Sequence, residues 1–234
     1  MTVGFNHRYF PAIRAVREAI SSGAIGELAY VRGFAGHAGL AEFKSPWMYD
    51  KDVMGGGALM DNGIHMIDLV RHAMGPVREV YGKALGQIWG LDRVEDNAFA
   101  LLTGDSVVGS LNASWTEWRG YHFYLEAYGS HGMARAYYAP MRATVITMDR
   151  PGGRARRREN FYPWLIVREK LRGWQSTAID TLAAEMTDFR SLVEGRAPTG
   201  PIAQAEDGFR AIEIAGAVYQ SSVSGKAVRL ADSV

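Results

Sequence analysis

The chain has 234 residues, enough to bury a sizeable core, and a single large domain is the expected arrangement. Hydrophobic residues make up 47% and charged residues 22%, which excludes a disordered or fibrous chain. A net charge of +1, from 26 basic against 25 acidic residues, supplies no overall field toward nucleic acid or an anionic membrane. The absence of cysteine excludes disulfides, thiolate metal sites and a cysteine nucleophile.

The opening MTVGFNHRYFPAIRAV has no basic region followed by a long apolar run, so it does not read as a signal peptide. No apolar run reaches the roughly 18 residues of a membrane span. A soluble, cytoplasmic protein is expected. After Pro11, apolar residues at helical spacing predict a short helix that Ser21, Ser22 and Gly23 stop. Leu28 to Phe34 reads as a strand, and a loop rich in aromatics runs from His37 to Val53.

Three glycines, Gly55 to Gly57, then open a helix that runs from Ala58 to Met74 and ends at Gly75-Pro76. Six strand-like runs follow, at Val77 to Ile88, Ala98 to Thr103, Val107 to Trp115, Phe123 to Tyr128, Met133 to Tyr138 and Thr144 to Met148. Gly104-Asp105 and Gly129 to Gly132 join pairs of them as hairpins, which predicts a largely antiparallel sheet. Arg150 to Asn160 reads as a basic loop and YPWLIV as an aromatic stretch. Helices are expected at Thr177 to Glu194 and Gln204 to Ser221, and a last strand at Val228 to Leu230. Strands grouped together, with terminal helices and no βαβ alternation, indicate an α+β fold with helices layered on a sheet.

The helix opened by glycines carries the chemistry. Asp61 and His65 lie at i and i+4, spacing that sets a carboxylate under an imidazole able to take or give a proton. The alternative is an ordinary helix-face hydrogen bond. Asp68 and His72 extend the row and raise a metal-binding reading, which the spread along one helix disfavours; near a helix C-terminus, His72 is better read as a surface cation. Arg154, Arg156, Arg157 and Arg158 could grip an anion but fit a solvated turn better. Trp115, Trp118 and Tyr121 could floor a sugar pocket or serve as core or subunit contacts. No glycine-rich dinucleotide fingerprint, P-loop or nucleophile elbow is present.

Four segments in order, VGFNHRYFPAIRAVREAISSGAIGEL, GGGALMDNGIHMIDLVRHAMG, VEDNAFALLTGDSVVGSLNASW and AQAEDGFRAIEIAGAVYQSSVSGKAVRL, cover nearly the whole chain. Together they resemble the Gfo/Idh/MocA oxidoreductases, which interconvert hydroxyl and carbonyl groups on sugars and cyclitols with NAD or NADP. The resemblance implies an open, mostly antiparallel sheet with helices on one face, of the kind found in the C-terminal domain of dihydrodipicolinate reductase. By the same likeness the sheet's other face packs on a second subunit, giving a homo-oligomer, dimer or larger.

It also implies Asp61 and His65 as the catalytic pair, with His7 and Arg8 near the active site; Trp115 and Trp47 are further candidates for contact with the substrate. Residues 1–10 would be the remnant of a cofactor-domain strand, leaving Val3 to Phe5 unpaired, and 11–234 the substrate and oligomerisation domain. The cofactor-binding half, with its glycine loop, has no counterpart here, so the dinucleotide would be bound mainly by a Rossmann unit, a separate chain being one arrangement that supplies it. Two other readings remain open: a non-catalytic module that binds a sugar-like ligand or a partner, and a metal-dependent lyase or isomerase using Asp61 and His65 with Glu95 or Asp96.

Overall fold

The computed structural model describes residues 1–39 and 45–231. Among these, β1 (Thr2–Val3) pairs antiparallel with β10 (Ala203–Gln204). Nine further strands form one sheet: β2 (Leu28–Gly36), β3 (Glu79–Leu85), β4 (Asn97–Thr103), β5 (Val108–Ser114), β6 (His122–Gly129), β7 (Gly132–Tyr138), β8 (Arg142–Thr147), β9 (Arg156–Phe161) and β11 (Val228–Arg229). Their spatial order is β11-β3-β4-β5-β2-β6-β7-β8-β9, antiparallel throughout except where β2 runs parallel to β5. The expected α+β architecture holds, with this one parallel pair at its centre.

Alternation along each strand separates two faces. Val31, Gly33 and Ala35 of β2, Ala98, Ala100 and Leu102 of β4, and Leu125 and Ala127 of β6 turn inward. Helices α1 (Pro11–Ser21), α3 (Ile64–Met74) and α6 (Ala205–Ser224) cover that face. The small residues let the helices approach closely: a Cβ on Gly33 would strike Met66 and Val70, and one on Gly82 would strike Val218.

Three local expectations are corrected. The basic segment continues into an edge strand: Arg156 to Phe161 pairs with β8, and exposed charge on an edge strand blocks further pairing. The aromatic stretch is helix α4 (Pro163–Arg172), with Pro163 at its first turn. The remnant strand is not left bare, because Thr2 and Val3 find partners in Gln204 and Ala203.

Helix α5 (Gln175–Val193) is turned inside out. Its buried positions are Thr177, Thr181, Glu185 and Asp188, which grip the N-terminal segment: Asn6 donates to Thr181 (2.9 Å) and Tyr9 to Asp188 (2.7 Å). Its exposed face carries Ile179, Leu182, Met186, Phe189 and Val193, spaced three and four apart. That is the spacing of an apolar seam.

Candidate active site

The helix that carries Asp61 and His65 does not begin as an α-helix. Leu59–Gly63 is a π-helical turn, followed by α3. Gly63 donates to the Ala58 carbonyl five residues back (2.9 Å) and sits so close to β5 that an added Cβ would lie 2.8 Å from the Ala113 Cβ. Glu95 pins the start of the turn: its Oε1 accepts from the Gly57 and Leu59 amides (2.9 Å each) and from the Tyr219 hydroxyl (3.0 Å). The glycines serve this close packing, since a Cβ on Gly57 would collide with the Glu95 carbonyl and one on Gly56 with the Tyr219 hydroxyl.

A π turn holds an extra residue, so positions four apart no longer lie directly above one another. The expected Asp61 to His65 hydrogen bond is accordingly replaced. Asp61 Oδ2 instead accepts from His37 Nε2 and Trp115 Nε1, both at 2.8 Å. Among the described residues no hydrogen bond reaches Asp61 Oδ1, and the side chain remains partly exposed. Asp61 still acts on His65 through its charge, which opposes the downward push of burial on the imidazole.

His7 and His65 lie ring to ring with centroids 4.4 Å apart, and Phe5 meets the edge of His65. Each ring has a buried Nδ1 without a hydrogen-bond partner. His65 Nε2 is not among the enclosed atoms and is its reachable nitrogen. Tyr121 closes the group, its hydroxyl 3.1 Å from His7 Nε2. Burial pushes both imidazoles down, and His65 pushes His7 further. Burial, then the Asp61 charge, pushes the Tyr121 hydroxyl up, so it stays a proton-bearing donor.

Of the other expected residues, Trp115 touches this group through Asp61, and Arg8 is turned to other partners. Arg8 is 4% exposed and forms a two-pronged pair with Asp68 (2.8 and 2.5 Å), with Asp207 beyond it. Burial opposes its charge, but the hydrogen bonds and charges of Asp68 and Asp207 more than offset that. Arg8 therefore holds the fold and has no free face for a substrate. Trp115 is fully buried, so it supports Asp61 instead of flooring a pocket.

Trp47, in the short 3-10 turn Pro46–Tyr49, is exposed; its neighbour Tyr49 is the residue that packs against Trp115. Trp118 stacks edge-on with Trp89. His72 is not a surface cation: burial, then Arg8 and Arg17, push it down to about 3.

Among the described residues no cluster of histidine and carboxylate side chains is placed to hold a metal ion. Asp68 is taken by Arg8, and Glu95 and Asp96 by backbone amides. These contacts remove the donor sets on which the metal-dependent reading relied. No helix of the described residues is long and apolar enough to cross a membrane.

His37 went unread among the candidates, because nothing in its local sequence distinguishes it; only its glycine two residues on, with φ of +56°, hints at a special turn.

The family model described as the GFO/IDH/MocA C-terminal domain matches residues 13–135, just over half of the chain. An inositol 2-dehydrogenase from Rubrobacter xylanophilus is 26% identical over 95% of this chain and 58% of its own length. A myo-inositol 2-dehydrogenase from Thermotoga maritima is 26% identical over 99% of this chain and 64% of its own length. Among solved structures, a levoglucosan dehydrogenase in complex with NADH and levoglucosan superposes with a TM-score of 0.80 at 24% identity. That match spans 99% of this chain and 66% of the other, and at this identity it shows the fold. The chain thus spans about three fifths of the length of the two dehydrogenases it matches end to end.

Proposed function

The chain belongs to the Gfo/Idh/MocA family through its C-terminal domain, and on that footing we propose that it is the substrate half of an NAD- or NADP-dependent oxidoreductase acting on a polyol carbon of a sugar or cyclitol. The observation that carries the reading is two unspent groups on neighbouring turns, Asp61 on the π turn and His65 at the start of the helix after it. Among the described residues Asp61 Oδ1 and His65 Nε2 have no protein hydrogen bond, although Asp61 is held through Oδ2 and the His65 ring packs against Phe5 and His7. Polar groups held in place without partners are what a hydroxylated ligand would satisfy.

A bound dinucleotide would supply hydride chemistry at the carbinol carbon. The part of this chain is the proton. His65, kept neutral by burial, accepts the hydroxyl proton at Nε2 as the carbonyl forms and returns it in the reverse direction. Asp61 Oδ1 orients the hydroxyl, and its charge steadies the imidazolium that forms. Tyr121 and His7 complete the rim with a second donor and acceptor.

Within these residues no dinucleotide fingerprint exists, so the cofactor is held by a unit outside them. The outward apolar seam of α5 supplies a seat for such a unit, because a solvated helix seldom exposes five large apolar side chains in register. The open face of the sheet, with Tyr81, Phe99, Leu101 and Val108 exposed and Tyr30 stacked on Tyr128 at 4.5 Å, suits a second copy of the chain. Leu101→Glu should convert a dimer to a monomer in sedimentation; a wild-type chain that is already monomeric at micromolar concentration removes the interface.

The test of the activity joins the chain to the nucleotide-binding half of an inositol dehydrogenase and measures NAD reduction with myo-inositol. His65→Ala should lower turnover by at least about 100-fold while circular dichroism is unchanged. Unaltered turnover removes His65 from the reaction.

A further inference from the structure

His37 is 2% exposed and lies where β2 leaves the sheet. Its backbone is fixed on both sides, its amide donating to Ser114 (3.0 Å) and its carbonyl accepting from Glu117 (3.1 Å). The ring is fixed as firmly. The Gly39 amide donates to Nδ1 at 3.0 Å, so that nitrogen presents a lone pair and the ring proton sits on Nε2, 2.8 Å from Asp61 Oδ2. Gly39 can deliver its amide only as glycine. At φ of +56° a Cβ would lie 2.9 Å from both the Cβ and the carbonyl oxygen of Trp115.

We propose that His37 is a positioning residue for Asp61: held as the Nε2–H tautomer by Gly39, it joins Trp115 in occupying Oδ2 and so reserves Oδ1 for the substrate. The two donors stand just past the ends of different strands, β2 and β5, and meet on one oxygen of a residue carried by the π turn. This cross-brace compensates for the turn, which takes Asp61 out of register with His65. A carboxylate with only the Trp115 contact could rotate and present either oxygen; with both contacts it cannot without breaking one. Because catalytic geometry tolerates little displacement, a brace of this kind controls ligand orientation without touching the ligand.

The inference rests on the reading of Asp61 and His65 as the substrate-facing pair. It is tested on the chain itself by nitrogen-15 histidine NMR, with myo-inositol as the probe. The expected signature is a non-protonated Nδ1 and a protonated Nε2 on His37, together with a saturable myo-inositol shift at His65. His37→Leu should weaken that titration by about 10-fold, and His37→Gln, whose amide can still donate to Asp61, should restore it.

A proton on Nδ1 of His37, or equal titrations in wild type and His37→Leu, overturns the proposal while leaving the catalytic pair standing. Absence of any myo-inositol shift in the folded wild-type chain strikes the functional reading instead, and the tautomer measurement then decides the brace alone.

Discussion

Two clusters of polar residues lie about one turn apart on the same helix, centred on His65 and Asp68, and they are built on opposite rules. Around Arg8 the charges are paired: Asp68 and Asp207 take the guanidinium, and Arg71 shares Asp207 (2.6 Å), while nearby Glu185 keeps a buried Oε1 without a partner. Around His65, both imidazoles keep a buried nitrogen without a partner, and Asp61 keeps one oxygen free. The first arrangement can do nothing further, because its groups are spent on one another. The second costs the fold free energy and gains something only when a ligand arrives. In these two clusters, then, paired charges serve the fold, and the unpaired groups are those placed toward the candidate site.

The largest expected effect breaks the saturated cluster. Arg8→Ala leaves Asp68 buried without its cation and should lower stability by about 3 to 5 kcal/mol, measured as a shift of the urea midpoint. A change under about 1 kcal/mol would mean that the pair behaves like a surface ion pair.

Acid sharpens the same contrast. His72 is held to about 3 by burial and by Arg8 and Arg17, below its unfolded value near 6.5. Stability from this group is therefore complete above about pH 6.5 and falls as pH drops toward 3, because the unfolded chain binds a proton that the folded chain refuses. Asp207 adds a lower step. Burial opposes its charge, but the Gln204 amide and then Arg71 and Arg8 hold it to about 2, so its contribution is lost between about 3.8 and 2. His72→Gln should flatten the upper limb of a pH series of urea midpoints and leave the lower one; an unchanged upper limb assigns it elsewhere.

The smallest stability effect belongs to the vacant cluster. Tyr121→Phe removes one hydrogen bond to His7 and should cost about 1 kcal/mol, while weakening polyol binding. A loss of stability as large as that of Arg8→Ala would place Tyr121 with the structural cluster.

Much of this was legible in the chain. Alternating residues such as Ala98, Phe99, Ala100, Leu101 and Leu102 gave away β4, and the run from Ala58 to Met74 with its Gly75 stop gave away the helix. The spacing of Asp61 and His65 predicts a hydrogen bond between them, and in the structure Asp61 bonds His37 and Trp115 and reaches His65 only through its charge. What could not be read was the π turn between them, because its causes lie far along the chain: Glu95 holds its start, and Ala113 presses on Gly63. Arg8 was taken for a substrate contact because its partners stand 60 and 199 positions away. Strand β9 was hidden by its arginines, since an edge strand needs no apolar face toward solvent.

Whether His7, Asp61 and His65 form a polyol site is settled by histidine NMR of the 234-residue chain titrated with myo-inositol. Saturable shifts are expected at His65 and His7, with His122 and His131 unmoved and the response lost in Asp61→Ala. A folded chain whose His65 and His7 signals stay fixed through the titration, or move no more than His131, would contradict a polyol site there.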